Sequence, residues 1–242
     1  MRADGRLPGQ LRAIKITPNV SEYAEGSALV EFGKTKVLCT ASYDPQAPKW
    51  LQGTGEGWIT AEYGMLPRST HQRIKRDKSL TGGRTQEISR LIGRSLRAAV
   101  DLRCLNEKQI LIDCDVLNAD GGTRTASVTG GFVALALALK KLVDVGEIKS
   151  LGLTNYISAI SVGLLEGQPL LDLNYDEDSA IGTDMNFVMT QSGEFIEVQG
   201  TAEAQPFTRQ QLNSMMDMAE SGCRELFLHQ EKIVGPLFAL KK

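Results

Sequence analysis

The N-terminal part of the chain alternates apolar and polar residues, as expected for β-strands with one buried face. Residues 11–17 alternate in this way, and residues 28–40 predict two strands joined by a hairpin at Gly33-Lys34. Residues 58–63 predict another short strand, because glycine and proline follow it. The chain is therefore predicted to begin as a β-sheet.

The spacing of apolar residues becomes helical after residue 84. They recur every three or four positions, at Ile88, Leu91, Ile92, Leu96, Ala99 and Val100. This spacing predicts a helix with one buried face. Residues 109–116 alternate again and predict a strand leading to a turn at residues 120–122. A second helix is predicted from about residue 125 to residue 145, before Gly146.

The C-terminal part has the same order of strands followed by a helix. Strands are predicted over residues 157–165, 170–175, 185–190 and 195–200. Thr208 and Gln211 have capping-box spacing and mark the start of a final helix. The whole pattern predicts an α+β fold of two β-then-α halves in one compact domain, residues 1–145 and 156–242, meeting near residues 146 to 156.

Composition and termini favour an ordinary globular protein. The 242 residues are 42% hydrophobic and 23% charged, enough for a sizeable core without disulfides. The N-terminus lacks the apolar run of a signal peptide, and no stretch of about 18 apolar residues indicates a membrane span. We therefore expect a cytoplasmic protein with no membrane partner.

The cysteines and histidines limit the chemistry that the chain can support. Cys39, Cys104, Cys114 and Cys223 are widely spaced and form no C-x-x-C pair, so we expect reduced core residues rather than a disulfide or zinc site. Two histidines leave little material for a Ser-His-Asp triad or a histidine-rich metal site. Acid-base chemistry would therefore fall to carboxylates.

Positive charge is concentrated in one segment although the net charge is −2. Between positions 66 and 104 the basic residues are Arg68, Arg73, Lys75, Arg76, Lys78, Arg84, Arg90, Arg94, Arg97 and Arg103. Only three acidic residues oppose them there. This distribution predicts a positive surface that could guide a polyanion.

Two Gly-Gly turns, each at a predicted helix start, have the chemistry of a phosphate site. The turn at Gly121-Gly122 is followed by Thr123 and Arg124, which offer a hydroxyl and a planar guanidinium beside a helix N-terminus. Gly82-Gly83 is followed in the same way by Arg84. Taken singly, the first could be only a tight strand-helix turn and Arg84 only a surface charge. Together they indicate a clamp for inorganic or RNA phosphate.

An acidic segment offers oxygen ligands for a cation. Its members follow a predicted hairpin and are Asp172, Asp176, Glu177, Asp178 and Asp184. Carboxylates in a loop suit Mg²⁺ and could also act as a general acid or base. The alternative is a solvated loop, because short acidic clusters are common on surfaces.

Several strings in the chain closely resemble the ribonuclease PH family. They are GWITAEYGMLPR at residues 57–68, GGRTQEI at 82–88, CDV at 114–116, ADGGTRT at 119–125, EDSA at 177–180, DMN at 184–186 and EVQGTAE at 197–203. The resemblance extends over nearly the whole chain. It implies the RNase PH-type fold, similar to domain 2 of ribosomal protein S5.

The resemblance also implies an activity and roles for individual residues. The activity is a phosphate-dependent 3′-to-5′ exoribonuclease that trims tRNA precursors, releases nucleoside diphosphates and can add nucleotides in reverse. Phosphate-binding positions fall on Arg84, Gly122, Thr123 and Arg124. Catalytic acidic positions beside Mg²⁺, or Mn²⁺, fall on Asp178 and Asp184. RNA-guiding positions fall on Arg68, Arg73 and Arg76.

The resemblance further implies a homo-hexameric ring built from dimers, with RNA rather than DNA as substrate. Two other functions remain open at this point. One is an RNA-binding ring scaffold without catalysis, against which the retained arginines and aspartates argue. The other is a hydrolytic nuclease, which would ignore phosphate and release monophosphates.

Overall fold

The computed structural model describes residues 2–76, 82–202 and 206–236. Lys78, counted above among the basic residues, and Glu203, at the end of the last string, lie outside these ranges.

The first sheet contains five strands from the N-terminal half. They are β1 (Ile14–Pro18), β2 (Gly26–Phe32), β3 (Thr35–Asp44), β4 (Trp58–Met65) and β5 (Gln109–Asn118). Their order is β1-β2-β3-β5-β4, and only β4 and β5 run parallel. The predicted hairpin is confirmed, because Phe32 pairs with Thr35 across the two-residue loop. One face of the sheet is buried, which explains the alternating pattern.

The second sheet contains four antiparallel strands from the C-terminal half. They are β6 (Ile157–Leu165), β7 (Gln168–Leu171), β8 (Thr183–Thr190) and β9 (Phe195–Ala202), in the order β7-β6-β8-β9. The predicted strand over residues 170–175 is wrong in its second half, because β7 ends at Leu171. Asp172 then turns the chain with a φ of 54°.

Four helices surround and separate the sheets within the described residues. They are α1 (Gly83–Arg97), α2 (Thr123–Asp144), α3 (Tyr175–Ala180) and α4 (Arg209–Val234). The apolar stripe of α1 is buried as predicted. The capping box of α4 is confirmed, since Thr208 accepts from the Gln211 backbone at 3.2 Å and the Gln211 side chain accepts from the Thr208 backbone at 2.8 Å. The short helix α3 was not predicted.

Helix α2 lies in the centre of the protein. It packs against β2 and β3 of the first sheet and against β6 of the second. Its Phe132 is fully buried and contacts the ring of Tyr156 at a centroid distance of 5.0 Å. By length and composition α2 could cross a membrane, although no apolar stretch of that length was expected from the sequence. However, 78% of its most apolar 18-residue window is buried inside the protein. Packing on both sides explains its apolar composition.

The division into halves 1–145 and 156–242 stays a prediction. Both halves nevertheless contribute to one hydrophobic core, because α2 contacts both sheets. This arrangement brings the turn before α2 next to the segment that joins β7 and β8.

Candidate phosphate and carboxylate site

The turn at residues 120–122 connects β5 to α2 and is shaped by its glycines. Gly121 and Gly122 have φ angles of 76° and 65°, in the left-handed region that favours glycine. A Cβ on Gly121 would lie 2.5 Å from the carbonyl oxygen of Leu173. The turn can therefore pack directly against the chain that leads into α3. The first backbone N–H groups of α2 favour an anion at this place.

Thr123 and Arg124 are held in place by contacts to other elements. The Thr123 hydroxyl lies 2.9 Å from the hydroxyl of Tyr63 on β4. Arg124 Nη1 donates to Gln199 Oε1 of β9 at 2.7 Å and to Glu87 Oε1 of α1 at 3.4 Å. The guanidinium is thus oriented before any ligand binds, as a bidentate phosphate contact requires.

The structure brings six of the predicted site residues together around one cavity of about 190 Å³. They are the four phosphate-site candidates Arg84, Gly122, Thr123 and Arg124 and the two carboxylates Asp178 and Asp184. Arg84 reaches the cavity from the first turn of α1, and Asp184 reaches it from the start of β8. Guanidinium groups from separate segments therefore share one pocket with two carboxylates.

Asp178 and Asp184 form the acidic wall of the cavity. Crowding of the Asp178 carboxyl by protein atoms raises its pKa, and the charge of Asp184 raises it further, while Arg84, Arg124 and Arg12 act in the opposite direction. Within the described ranges neither carboxylate forms an ion pair. Two close carboxylates that repel each other are suited to share a cation.

The donor set fits Mg²⁺ or Mn²⁺ better than zinc. Among the described residues no group of three or more His, Cys, Asp or Glu side chains could hold a metal ion. Mg²⁺ needs fewer protein ligands, because it keeps several waters and is commonly completed by substrate phosphates. The pair Asp178 and Asp184 fits that ligand preference.

The other members of the acidic segment have structural partners. Asp172 is fully buried, and its Oδ1 accepts from Arg12 Nη2 at 2.7 Å. Glu177 accepts from Arg2 at 2.6 Å, whereas Asp176 is exposed. The predicted loop conformation of the segment is therefore wrong: residues 175–180 form α3, whose Asn174–Glu177 capping box stabilises its first turn.

The predicted RNA-guiding arginines lie outside the small cavity. Arg68, Arg73 and Arg76 are exposed on the segment between β4 and α1. Arg68 Nη1 donates to the carbonyl oxygen of His71 at 3.0 Å. The same segment lines a second cavity of about 660 Å³, which shares with the first the residues Arg84, Gly122, Thr123 and Asp178. The basic segment is thus a neighbour of the site and not part of its inner wall.

Three further residues line the small cavity and were not proposed from sequence. They are Ser161, Ile181 and Asn186. Asn186 lies in the DMN string, and Gln199, the partner of Arg124, lies in the EVQGTAE string. Their place in these family strings was the only sign in the sequence that they belong to the site. Ser161 is buried on β6 and had none.

Comparisons with known proteins agree with this arrangement. Residues 10–141 match the family model of the 3′ exoribonuclease family, domain 1, and residues 155–222 match domain 2. Ribonuclease PH of Bdellovibrio bacteriovorus is 80% identical over 240 residues, which cover 99% of both chains.

Solved structures share the fold at lower identity. The crystal structure of rice (Oryza sativa) Rrp46 aligns with a TM-score of 0.78 at 20% identity, covering 96% of this chain and all of that one. The Archaeoglobus fulgidus exosome with RNA bound to the active site gives 0.79 at 24% identity, covering 94% and 91% of the two chains. An archaeal exosome core gives 0.76 at 25% identity, covering 96% and 90%.

These relationships confirm the expected α+β, RNase PH-type fold and set aside the inactive scaffold and the hydrolytic nuclease. The chain belongs to the 3′ exoribonuclease family and is a phosphorolytic 3′-to-5′ exoribonuclease of the ribonuclease PH type.

Proposed function

We propose that the chain trims the 3′ ends of tRNA precursors with inorganic phosphate held by Arg84, Thr123 and Arg124. The supporting observation is the single cavity that these residues share with Asp178 and Asp184. A phosphate oxygen attacks the phosphorus of the last phosphodiester, and the bond to the 3′ oxygen of the preceding nucleotide breaks. The products are a nucleoside 5′-diphosphate and RNA shortened by one nucleotide. The reverse reaction adds a nucleotide and releases phosphate.

The phosphate side of the site stabilises charge. Arg84 and Arg124 each offer several donors to phosphate oxygens, and the N-terminus of α2 adds backbone N–H groups and a favourable dipole. Removing one such donor typically costs roughly 3–4 kcal/mol of activation free energy. Positioning and charge neutralisation would therefore supply most of the catalysis.

The acidic wall of Asp178 and Asp184 would transfer the proton and bind the cation. We assign proton donation to the departing 3′ oxygen to Asp184, and cation binding mainly to Asp178 with Asp184 as the second ligand. A divalent cation bound there supplies positive charge to the phosphate oxygens. Mg²⁺ is the proposed ion, and Mn²⁺ has the same preference for oxygen ligands.

The RNA would approach along the exposed segment that carries Arg68, Arg73 and Arg76. The cavity of about 660 Å³ beside it is large enough for a nucleoside and is lined in part by His71 and Tyr175, whose ring centroids are 5.9 Å apart. Aromatic rings beside a phosphate site suit stacking of an unpaired base. The exosome structures with similar folds support a ring, and we propose a homo-hexamer, assembled as a trimer of dimers, acting in the cytoplasm.

One assay tests the reaction and its substrate. A tRNA with a 3′ extension is incubated with and without inorganic phosphate, and the released nucleotides are separated by chromatography. The proposal expects nucleoside diphosphates that appear only with phosphate. Monophosphates that are indifferent to phosphate would show hydrolysis, and no release in either case would show a binding protein. The Asp184→Asn variant should bind the same tRNA but release no nucleotide, and normal turnover would remove Asp184 from the mechanism.

A further inference from the structure

Three arginines near the N-terminus are buried beside the acidic wall of the site. Arg2, Arg6 and Arg12 are 7%, 8% and 7% exposed. Arginine is seldom buried unless its charge is paired, so these side chains need partners. Arg6 pairs with Asp4 at 2.7 Å, and the other carboxylate partners lie about 160 to 175 residues later in the chain, around α3.

Arg2 forms a two-pronged ion pair with Glu177. Its Nε and Nη2 atoms donate to Glu177 Oε1 and Oε2, both at 2.6 Å. The other donors reach the carbonyl oxygens of Leu171 at 2.7 Å and Asp172 at 3.1 Å. A planar guanidinium bound on two sides leaves its partner little freedom to rotate.

Arg6 adds a second cation to the same carboxylate. Its Nη2 donates to Glu177 Oε2 at 3.2 Å and its Nη1 to the carbonyl oxygen of Asp172 at 2.9 Å. The Glu177 carboxylate therefore lies between two guanidinium groups.

Arg12 ties the same region to the phosphate side. Its Nε donates to Asp172 Oδ2 at 3.0 Å, and its Nη2 lies 2.7 Å from Asp172 Oδ1. Its Nη1 donates to the carbonyl oxygen of Asp120, in the turn before α2. One N-terminal segment thus contacts the chain next to both sides of the cavity, at Glu177 beside Asp178 and at the turn before Gly122.

We infer that Arg2, Arg6 and Glu177 form a positioning clamp that fixes the place of Asp178 in the site. The inference rests on the proposed role of Asp178 as a cation ligand. Glu177 precedes Asp178 in α3, which has six residues. Isolated helices need about 12–15 residues to persist in water, so α3 depends on its contacts for its position. Among the described residues, the shortest hydrogen bonds from α3 to distant parts of the chain are those of Glu177 with the two arginines.

The test uses the full-length Glu177→Gln variant. Glutamine keeps the size of the side chain and one oxygen for the cap, but it loses the charge and the second acceptor for Arg2. We expect kcat to fall by about 10- to 100-fold, as when the support of a metal ligand is removed. The KM for phosphate should stay within about twofold, because Arg124 is held by Gln199 and Glu87 and not by α3.

A second measurement tests the placement of Asp178 without depending on catalytic turnover. Binding of Mn²⁺ in the presence of inorganic phosphate, followed by electron paramagnetic resonance, should weaken by about tenfold in Glu177→Gln. The milder Arg6→Gln change, which leaves the Arg2 pair intact, should weaken it by about threefold and serves if Glu177→Gln does not fold. In the double variant Arg2→Gln with Glu177→Gln the two effects on Mn²⁺ binding should be less than additive, because the two residues share one ion pair.

Glu220→Gln is the matched control. It breaks an exposed ion pair of 2.6 Å with Arg224 on α4 and should change neither kcat nor Mn²⁺ binding. Normal kcat and Mn²⁺ binding in folded Glu177→Gln or Arg6→Gln would overturn the clamp. So would a loss of kcat with unchanged Mn²⁺ binding, since that indicates a general structural defect. Full activity in Asp178→Asn would instead refute the role of Asp178 in the proposed mechanism.

Discussion

Arg124 and Gln199 are joined by a hydrogen bond of 2.7 Å that connects the first turn of α2 to β9. Gln199 Nε2 in turn donates to Glu87 Oε1 at 2.8 Å, so one amide aligns the arginine and the carboxylate beside it. Gln199 does not line the small cavity, yet it determines the direction from which the Arg124 guanidinium enters. The contact makes Gln199 a positioning residue for the proposed phosphate site.

The Gln199→Ala variant should therefore require more phosphate. Loss of one hydrogen bond to a charged group, at ~1.4 kcal/mol, corresponds to about a tenfold higher KM for phosphate. The measurement is the rate of nucleoside diphosphate release as the phosphate concentration is varied. Gln191→Ala is the control, because Gln191 forms a similar exposed contact with Glu231 at 2.6 Å far from the cavity. An unchanged phosphate KM in Gln199→Ala would show that Glu87 alone is enough to hold Arg124.

Arg84→Ala should have a larger effect, since Arg84 lines the cavity itself. We expect kcat/KM for phosphate to fall by at least about 100-fold, in line with the loss of a donor that stabilises developing charge. RNA binding, measured by filter retention, should persist. Arg103→Ala removes an exposed arginine paired with Asp101 and should leave the phosphate dependence unchanged. Equal phosphate dependence in both variants would refute the proposed phosphate site of Arg84 and Arg124.

Arg73→Gln tests the basic segment. Arg73 is exposed and outside the small cavity, so its replacement should weaken RNA binding without changing the phosphate KM. The slope of log K against log salt should decrease by roughly 0.7 for each contact to a single-strand phosphate that is lost. Titrations of a 3′-extended RNA at several salt concentrations measure that slope. A slope identical to that of the unaltered protein would mean that Arg73 does not touch RNA.

Asp113→Asn should stabilise the protein at neutral pH. Burial raises the pKa of Asp113 on β5, and the charges of Glu62 and Asp115 raise it further. The folded state therefore holds this proton to a higher pH than the unfolded state does. The free energy of unfolding consequently falls as pH rises from the ordinary pKa of aspartate through the raised pKa of the folded state. Asparagine removes the penalty, and we expect the Tm at pH 7 to rise by about 2 °C. The gain should shrink toward about pH 4, near the ordinary value for aspartate, and a gain independent of pH would contradict the electrostatic cause.

Local patterns were sufficient for most of the fold. The strands of both sheets and the buried face of α1 follow from alternation and helical spacing, because each element buries one face. The capping box of α4 could be predicted from Thr208 and Gln211, because its two residues are close in sequence. Helix α3 was missed because six mostly polar residues have no apolar period, and its cap Asn174 lay inside a predicted strand.

The site was predictable only in part. Arg84, Arg124 and Asp184 belong to strings typical of the family, and the structure places them around one cavity. Ser161 and the buried arginines had no such signal, because their partners are distant in sequence: Arg12 and Asp172 are 160 residues apart. A charged residue in a polar N-terminal segment gives no local indication that it will be buried.

The position of α2 couples binding of the co-substrate to the thermal stability of the fold. Its first turn is proposed to bind the co-substrate, while the rest of it fills the space between the two sheets. Any anion that favours the folded first turn must also oppose melting of the whole chain, by ~2.7 kcal/mol when its free concentration is 100 times its Kd. Resistance to heat should therefore follow phosphate supply, and starvation for phosphate would leave an enzyme that is both idle and more easily unfolded.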